Sequence, residues 1–358
     1  MSRRRLPLLM PANCSAAKQL PQFCIIIIKR KNQTSMSEIK KEEQSDTMQT
    51  QKAFYAPCTL CPRACHVDRT AGQKGRCHVD AQIRVARAAL HMWEEPCLSG
   101  RSGSGAVFFS GCALGCIFCQ NREIASGKAG LVIPEARLSE IFLELQEKGA
   151  NNINLVTAGH YVPQVIRALA CAKSQGLRIP IVYNSSGYEK AETLRQLEGL
   201  IDIYLPDLKY LTPELAAAYS HAPDYPQYAM EAISEMVRQQ PQAEFMPEDR
   251  TEASPIMRRG VIVRHLLLPG HVREAKKVVG YLHETYGDQI YISMMNQYTP
   301  MSEKFADPNL NRRVTKREYE RLLDYAAEIG VENGFYQEGA TADESFIPEF
   351  DYEGVRKK

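Results

Sequence analysis

Apolar and polar positions change period along this chain. From residue 104 onward, short runs of β-branched and aromatic residues recur: AVFFSG at 106–111, NINLVT at 152–157, IPIVYN at 179–184, IDIYLP at 201–206, VIVRHLLLP at 261–269 and QIYISMM at 289–295. Each run is too short for a helix and too continuously apolar for a strand with one wet face, so each predicts a strand buried on both sides. Between the runs the apolar positions shift to helical spacing, as at Leu138, Ile141, Phe142 and Leu145, and Gly149 stops that pattern. Buried strands alternating with amphipathic helices predict an α/β fold: a parallel sheet covered by helices, closed as a barrel or left doubly wound. The segment 222–259, rich in Pro, Met and charge, interrupts the alternation. It predicts a helix over 227–239 and a loop, and reads as an inserted lid or partner surface.

Residues 1–50 do not share the pattern. Basic residues at 3–5 and 29–31 flank an apolar run at 23–28, which falls far short of the roughly 18 residues of a membrane helix and lacks a small-residue cleavage site. The expectation is a disordered extension or a stretch ahead of the true start, with an ordinary-looking start at Met36 and folding from about Gln51. The rest divides into a Cys-rich element at 51–103, a core barrel at 104–340 and a tail at 341–358. A composition of 44% apolar and 24% charged residues is that of a soluble globular protein, and a net charge of +2 supplies no basic field for a phosphate backbone. Neither nucleic acid nor membrane is an expected partner.

The eleven cysteines change the picture because they are bunched: Cys58, Cys61, Cys65 and Cys77 in one group, Cys112, Cys116 and Cys119 in another. Tight spacings in a long α/β chain read as metal or cluster sites, and free thiols place the protein in the reducing cytoplasm. Cys14, Cys24, Cys97 and Cys171 lie outside both groups and take no role. The first strand runs straight into GCALGCIFCQN, so Cys112, Cys116 and Cys119 occupy the loop after it, on the face where parallel barrels carry their chemistry. Iron–sulfur cubanes take thiolate ligands, normally four. Three close cysteines leave one iron open to a chelating small molecule.

The spacing C-x3-C-x2-C, with aromatic Phe118 before the last cysteine, resembles the hallmark of the radical S-adenosylmethionine (SAM) superfamily. That resemblance implies a partial (β/α)6 barrel and a 4Fe-4S cluster whose fourth iron is chelated by the SAM amino and carboxylate groups. It also implies reductive cleavage of SAM to a 5'-deoxyadenosyl radical that abstracts hydrogen. Thr157, Gly159 and His160 stand where the superfamily has a Gly-Gly-Glu turn contacting SAM, although the acidic residue is missing. Asn184 and Ser186 in YNSSGY suit a ribose or carboxylate. Asp207 and Lys209 in PDLKY resemble the D-x-K motif of glycyl-radical-enzyme activases, and Arg264 in RHLLLPG resembles their R-x-x-x-x-P-G segment, with the SAM carboxylate as its expected partner. A charge inside an apolar strand requires a counter-charge.

Cys58, Cys61, Cys65 and Cys77 complete a tetrahedral thiolate set that zinc and a second 4Fe-4S cluster both accept, with His66 and His78 as possible substitutes. TLCPRACHVDRTAGQKGRC resembles the amino-terminal element of uncharacterised proteins similar to pyruvate formate-lyase activating enzyme, a likeness spanning about residues 55–340 and including LHMWEEPCLSG, GSGAVFFSGC and MNQYTP. It implies an oxidoreductase fed by an electron donor such as flavodoxin or ferredoxin, with a glycyl radical enzyme or another protein as substrate. Radical chemistry on a small molecule is the alternative within enzymes, and a non-catalytic iron–sulfur redox sensor the alternative outside them.

Overall fold

The computed structural model describes residues 54–247, 254–300, 304–337 and 348–357, all within one compact unit that begins at Thr50. The expected extension at 1–50, with Cys14 and Cys24, and residues 248–253 of the expected loop lie outside the described residues. The strands are β1 (Arg84–His91), β2 (Ser104–Phe109), β3 (Leu131–Val132), β4 (Ile153–Val156), β5 (Ile181–Ser185), β6 (Ile203–Pro206), β7 (Glu244–Phe245), β8 (Met257–Leu266), β9 (Tyr291–Met295) and β10 (Gly334–Tyr336). All six expected strands are present, as β2, β4, β5, β6, β8 and β9. They lie side by side in that order, every pair parallel.

The sheet order β10-β9-β8-β6-β5-β4-β2-β1-β3 follows the chain apart from β3 at one end, with β7 off the path beside β8, as a series of right-handed βα units produces. β10 extends the parallel series, and β1 and β3 add an antiparallel edge. No hydrogen-bonded pair among the described residues joins the two edges, so the sheet is an open, partial barrel. Every residue of β2 is buried, which is why it reads as a continuous apolar run. Helix Glu135–Glu147 turns Leu138, Ile141, Phe142 and Leu145 onto the sheet. At roughly 1.5–3 kcal/mol for each large apolar side chain buried, that one face offsets much of the cost of ordering the helix.

One expectation needs correction. The described residues of the segment at 222–259 do not form an inserted lid. Its helix, Tyr225–Gln239, begins two residues earlier than expected and packs Ala229, Ala232, Ile233 and Met236 fully into the core. Its short strand β7 pairs with the beginning of β8, Glu244 opposite Arg259 and Phe245 opposite Met257. That is the amino-terminal end of the parallel strand, opposite the end that carries the chemistry. Within the expected Cys-rich element at 51–103, β1 pairs along β2 from Val85 to His91. The expected tail joins the same edge: Tyr352 N–H donates to the Ala86 carbonyl at 3.1 Å and Ala88 N–H to that of Glu353 at 2.8 Å. Val355 is buried, and the Arg137 guanidinium donates to its carbonyl at 3.1 Å.

Candidate functional site

A cavity of about 860 Å³ opens at the carboxyl ends of the parallel strands. The loop after β2 brings Cys112, Cys116 and Cys119 to its wall. Gly111 lets that loop turn in with φ of +95°; a Cβ there would meet the Cys77 carbonyl at 2.7 Å. Three backbone bonds hold the loop: Cys112 N–H to the Cys77 carbonyl (3.3 Å), Ile117 N–H to that of Tyr219 (2.9 Å) and Cys119 N–H to that of Cys116 (3.2 Å). Arg63, between Cys61 and Cys65, donates to the carbonyls of Ala113 and Leu114, both at 2.9 Å, and to that of His221 at 2.7 Å.

Burial pushes the Cys119 thiol up to about 12, with the Cys116 and Cys112 thiols adding to the shift. Burial raises Cys116 too, against the opposing pull of the Lys209 ammonium and a hydroxyl from Ser220. Crowded, desolvated thiols of this kind give up their protons only to a bound cation. Among the described residues no three His, Cys, Asp or Glu side chains gather tightly enough to hold one metal ion. Three thiolates of a cubane bind three different irons and need no such convergence.

The strand ends facing the loop supply polar groups. Thr157, Asn184, Ser186, Asp207, Lys209 and Arg264 all line the cavity. Thr157 adopts φ of +60°, a strained conformation for a β-branched residue, while its N–H bonds to the Asn184 carbonyl at 2.8 Å. Lys209 Nζ lies 2.6 Å from Asp207 Oδ2; burial works against its charge, and Asp207 together with Cys116 and Tyr225 more than restores it. The Tyr225 hydroxyl, on the core helix, accepts the Lys209 N–H at 3.0 Å. It also lies 2.9 Å from the Asp207 carbonyl and 3.0 Å from that of Ser186, tying the ends of β5 and β6 together.

Three expectations about single residues change. Gly159 and His160 do not line the cavity. Gly159 packs against the Glu189 carboxylate, which a Cβ would meet at 2.5 Å. His160 turns inward, its Nε2 2.7 Å from the Ser110 carbonyl, and burial pushes its pKa down to about 3, with Arg69 adding to the shift. It is a neutral structural residue. Arg264 does not wait for a ligand: its Nε donates to Glu95 at 2.8 Å, and its Nη2 bonds Glu95 and Glu94. Burial alone would raise Glu95, but Arg264 keeps it below the usual carboxylate range.

Glu94 and Glu95 were legible only as an acidic pair in LHMWEEPCLSG; the signal pointing to them was the lone arginine in β8. Sequence reasoning missed Glu189, Ser220 and Arg63, whose roles depend on packing. It also missed Arg69, a fully buried guanidinium stacked 4.5 Å over the Tyr55 ring. Arg69 donates to the carbonyls of His160 (2.8 Å) and Asp80 (2.7 Å), and reaches Cys58 Sγ at 3.9 Å. After burial, the groups acting on it most strongly are Cys77, Tyr55 and Cys58. Its Nε is buried without a partner among the described residues. A buried cation facing thiols fits a set that carries negative charge, as thiolates bound to a metal do.

Residues 106–241 match the family model described as Radical SAM superfamily. An uncharacterized protein of Methanocaldococcus jannaschii is 25% identical over 289 residues, covering 78% of this chain and 77% of its own. Among solved structures, a domain of pyruvate-formate lyase-activating enzyme from Bacteroides vulgatus is 11% identical, with a TM-score of 0.35 over 50% of this chain and 92% of that one. SuiB from Streptococcus suis, bound to S-adenosylmethionine, is 15% identical, with a TM-score of 0.41 over 64% of this chain and 46% of that one. The FeFe-hydrogenase maturase HydG from Carboxydothermus hydrogenoformans is 13% identical, with a TM-score of 0.40 over 88% and 76%. No helix among the described residues is long and apolar enough to cross a membrane.

Proposed function

The chain carries a radical SAM domain over residues 106–241, and from that premise we propose that it is an oxidoreductase that cleaves S-adenosylmethionine. The observation that carries this reading is the meeting of Cys112, Cys116 and Cys119 with Asp207 and Lys209 on the wall of one cavity. Cys112, Cys116 and Cys119 would hold a 4Fe-4S cluster, which when bound and reduced would supply the electron for cleavage of SAM to methionine and a 5'-deoxyadenosyl radical.

The protein's own groups bind and orient the substrate. The Lys209 ammonium, kept charged by Asp207, provides the counter-charge for a carboxylate. Asn184, Ser186 and Thr157 present an amide and hydroxyls to a ribose or an amino group. Phe109, Leu266 and Met295 form apolar wall that limits water around the reacting carbon. Arg264, saturated by Glu94 and Glu95, braces β8 against the turn after β1 and fixes the cavity's shape.

The Cys58, Cys61, Cys65 and Cys77 thiolates would hold a second site, zinc or iron–sulfur, with Arg69 balancing the net negative charge of the thiolate set; a single zinc ion would require the four sulfurs to draw closer together than they stand here. The enzyme works in the reducing cytoplasm with an electron-donor protein of the flavodoxin or ferredoxin kind. Its substrate is a backbone position on another protein, such as a glycyl radical enzyme. Exposed Met92, Trp93 and Tyr336 line the cavity where such a loop would enter. The test follows methionine release by reduced, iron-reconstituted protein. Lys209→Met raises the SAM concentration needed for half-maximal release by about tenfold or more, the loss of one charge-assisted contact. A variant indistinguishable from wild type would overturn the assigned binding mode. A radical appearing on a co-expressed protein supports the protein substrate. Consumption of a small metabolite in step with SAM would replace it.

A further inference from the structure

Ser220 ends the helix Pro213–Ser220 and is completely buried. Its Oγ lies 3.0 Å from Cys116 Sγ and 3.2 Å from the hydroxyl of Tyr210, itself buried. The backbone around Ser220 is held separately: the Tyr219 carbonyl accepts from Ile117, and Arg63 reaches the Ser220 carbonyl at 3.4 Å. The hydroxyl is therefore not needed to position its own chain.

With a free thiol at Cys116, either sulfur or oxygen could donate. A metal-bound thiolate has no proton, so its sulfur can only accept and Ser220 must donate to it. The Ser220 oxygen is then left to accept from Tyr210. The two bonds become a one-way chain from the buried Tyr210 through the buried Ser220 to Cys116, each bond polarising the next. A hydrogen bond to a ligand sulfur withdraws electron density, favours the more negative reduced cluster and raises its potential. The Lys209 ammonium pulls the same way on Cys116, but Asp207 at 2.6 Å offsets much of its charge. Ser220 provides the donor without a counter-charge.

We propose that Ser220 is a positioning residue that sets the reduction potential of the cluster held by Cys112, Cys116 and Cys119, through a hydroxyl backed by Tyr210. This rests on the functional reading above. It predicts a cluster more easily reduced by a weak donor than the three thiolates alone would be.

The experiment is a redox titration of the full chain, reconstituted anaerobically with iron and sulfide and followed by electron paramagnetic resonance. The signal that changes on adding SAM identifies the cluster concerned. Ser220→Ala keeps its iron content and shifts the midpoint of that signal to a more negative potential. Tyr210→Phe, which leaves the Ser220–Cys116 bond in place, shifts it in the same direction by less. An unshifted midpoint in fully loaded Ser220→Ala overturns the proposal. If Ser220→Ala does not load, Tyr210→Phe decides, and an unshifted midpoint there overturns it. Wild-type protein with no SAM-responsive signal would bring down the functional reading as well, a result readily told apart from an unshifted one.

Discussion

The backbone N–H of Cys112 is bonded to the carbonyl oxygen of Cys77 across 3.3 Å, so a member of the three-thiol loop rests directly on a member of the four-thiol group. The two groups are neighbours in space although they belong to different elements of the chain. Arg63 adds a second tie, reaching from between Cys61 and Cys65 to the carbonyls of Ala113 and Leu114.

Neither tie uses a thiol, which gives the first prediction. Replacing Cys58 and Cys61 by serine removes the upstream metal and leaves the SAM-responsive signal of the other cluster, because the Cys77 carbonyl and Arg63 remain. Metal analysis checks the first half and resonance spectra the second. Unchanged iron and zinc contents would show that the upstream thiols bind nothing.

The Arg264 cluster predicts a stability effect. Its guanidinium faces the buried Glu94 and Glu95 carboxylates, with Arg264 itself largely enclosed. Arg264→Met strands two acids in the interior and costs about 3–5 kcal/mol in denaturant unfolding. Lysine does not rescue it, since a single ammonium cannot reproduce the fork that holds Glu95 at 2.8 and 2.5 Å. A loss below about 1 kcal/mol would mean that the acids find other partners.

Glu189 predicts a pH dependence. Burial raises its carboxyl from 4.5 to about 7, with the Ser185 hydroxyl partly opposing the shift. Between those values the folded protein holds a proton that the unfolded chain has lost. Stability therefore falls as pH rises from 4.5 to 7, and the loss is complete above 7. Glu189→Gln removes this slope and gains about 2–4 kcal/mol at pH 8, at roughly 1.4 kcal/mol per pKa unit. His160 slopes the other way: its folded pKa of about 3 costs stability as pH falls below 6.5. Urea midpoints across the pH range separate the two, and a Glu189→Gln profile parallel to wild type would refute the assignment.

Thr157 trades strain for function. Relieving its positive φ with Thr157→Gly stabilises the fold by on the order of 1 kcal/mol. The same change removes a cavity hydroxyl and weakens SAM binding. Calorimetric unfolding and SAM titration read the two effects. Unchanged SAM affinity would take Thr157 out of the binding set.

How far the sequence reveals all this depends on distance along the chain. The six parallel strands were legible because burial on both faces leaves continuous apolar runs, and the three-cysteine loop because its ligands lie within eight residues of one another. β1 was missed: RVARAALH mixes arginine with small residues, and its strand character comes from pairing with β2 and the carboxyl-terminal segment. β10 has three residues, too few for any period. Arg264 in an apolar strand calls for a counter-charge, but the expected partner is the SAM carboxylate, because Glu95 stands 169 positions away and nothing local names it. His160 was misassigned because a turn of 3-10 helix, Gly159–Tyr161, rotates its ring from the cavity toward Ser110. The lid expected at 222–259 failed for a similar reason, since composition does not reveal which end of a strand a loop meets.

The most direct test of the account is the formation of 5'-deoxyadenosine by anaerobically reconstituted, reduced protein given SAM, measured by chromatography for wild type and Cys116→Ala. Wild type forms it steadily and the variant forms none above background, because one of three cluster thiolates is gone. Equal formation by the two proteins would contradict it.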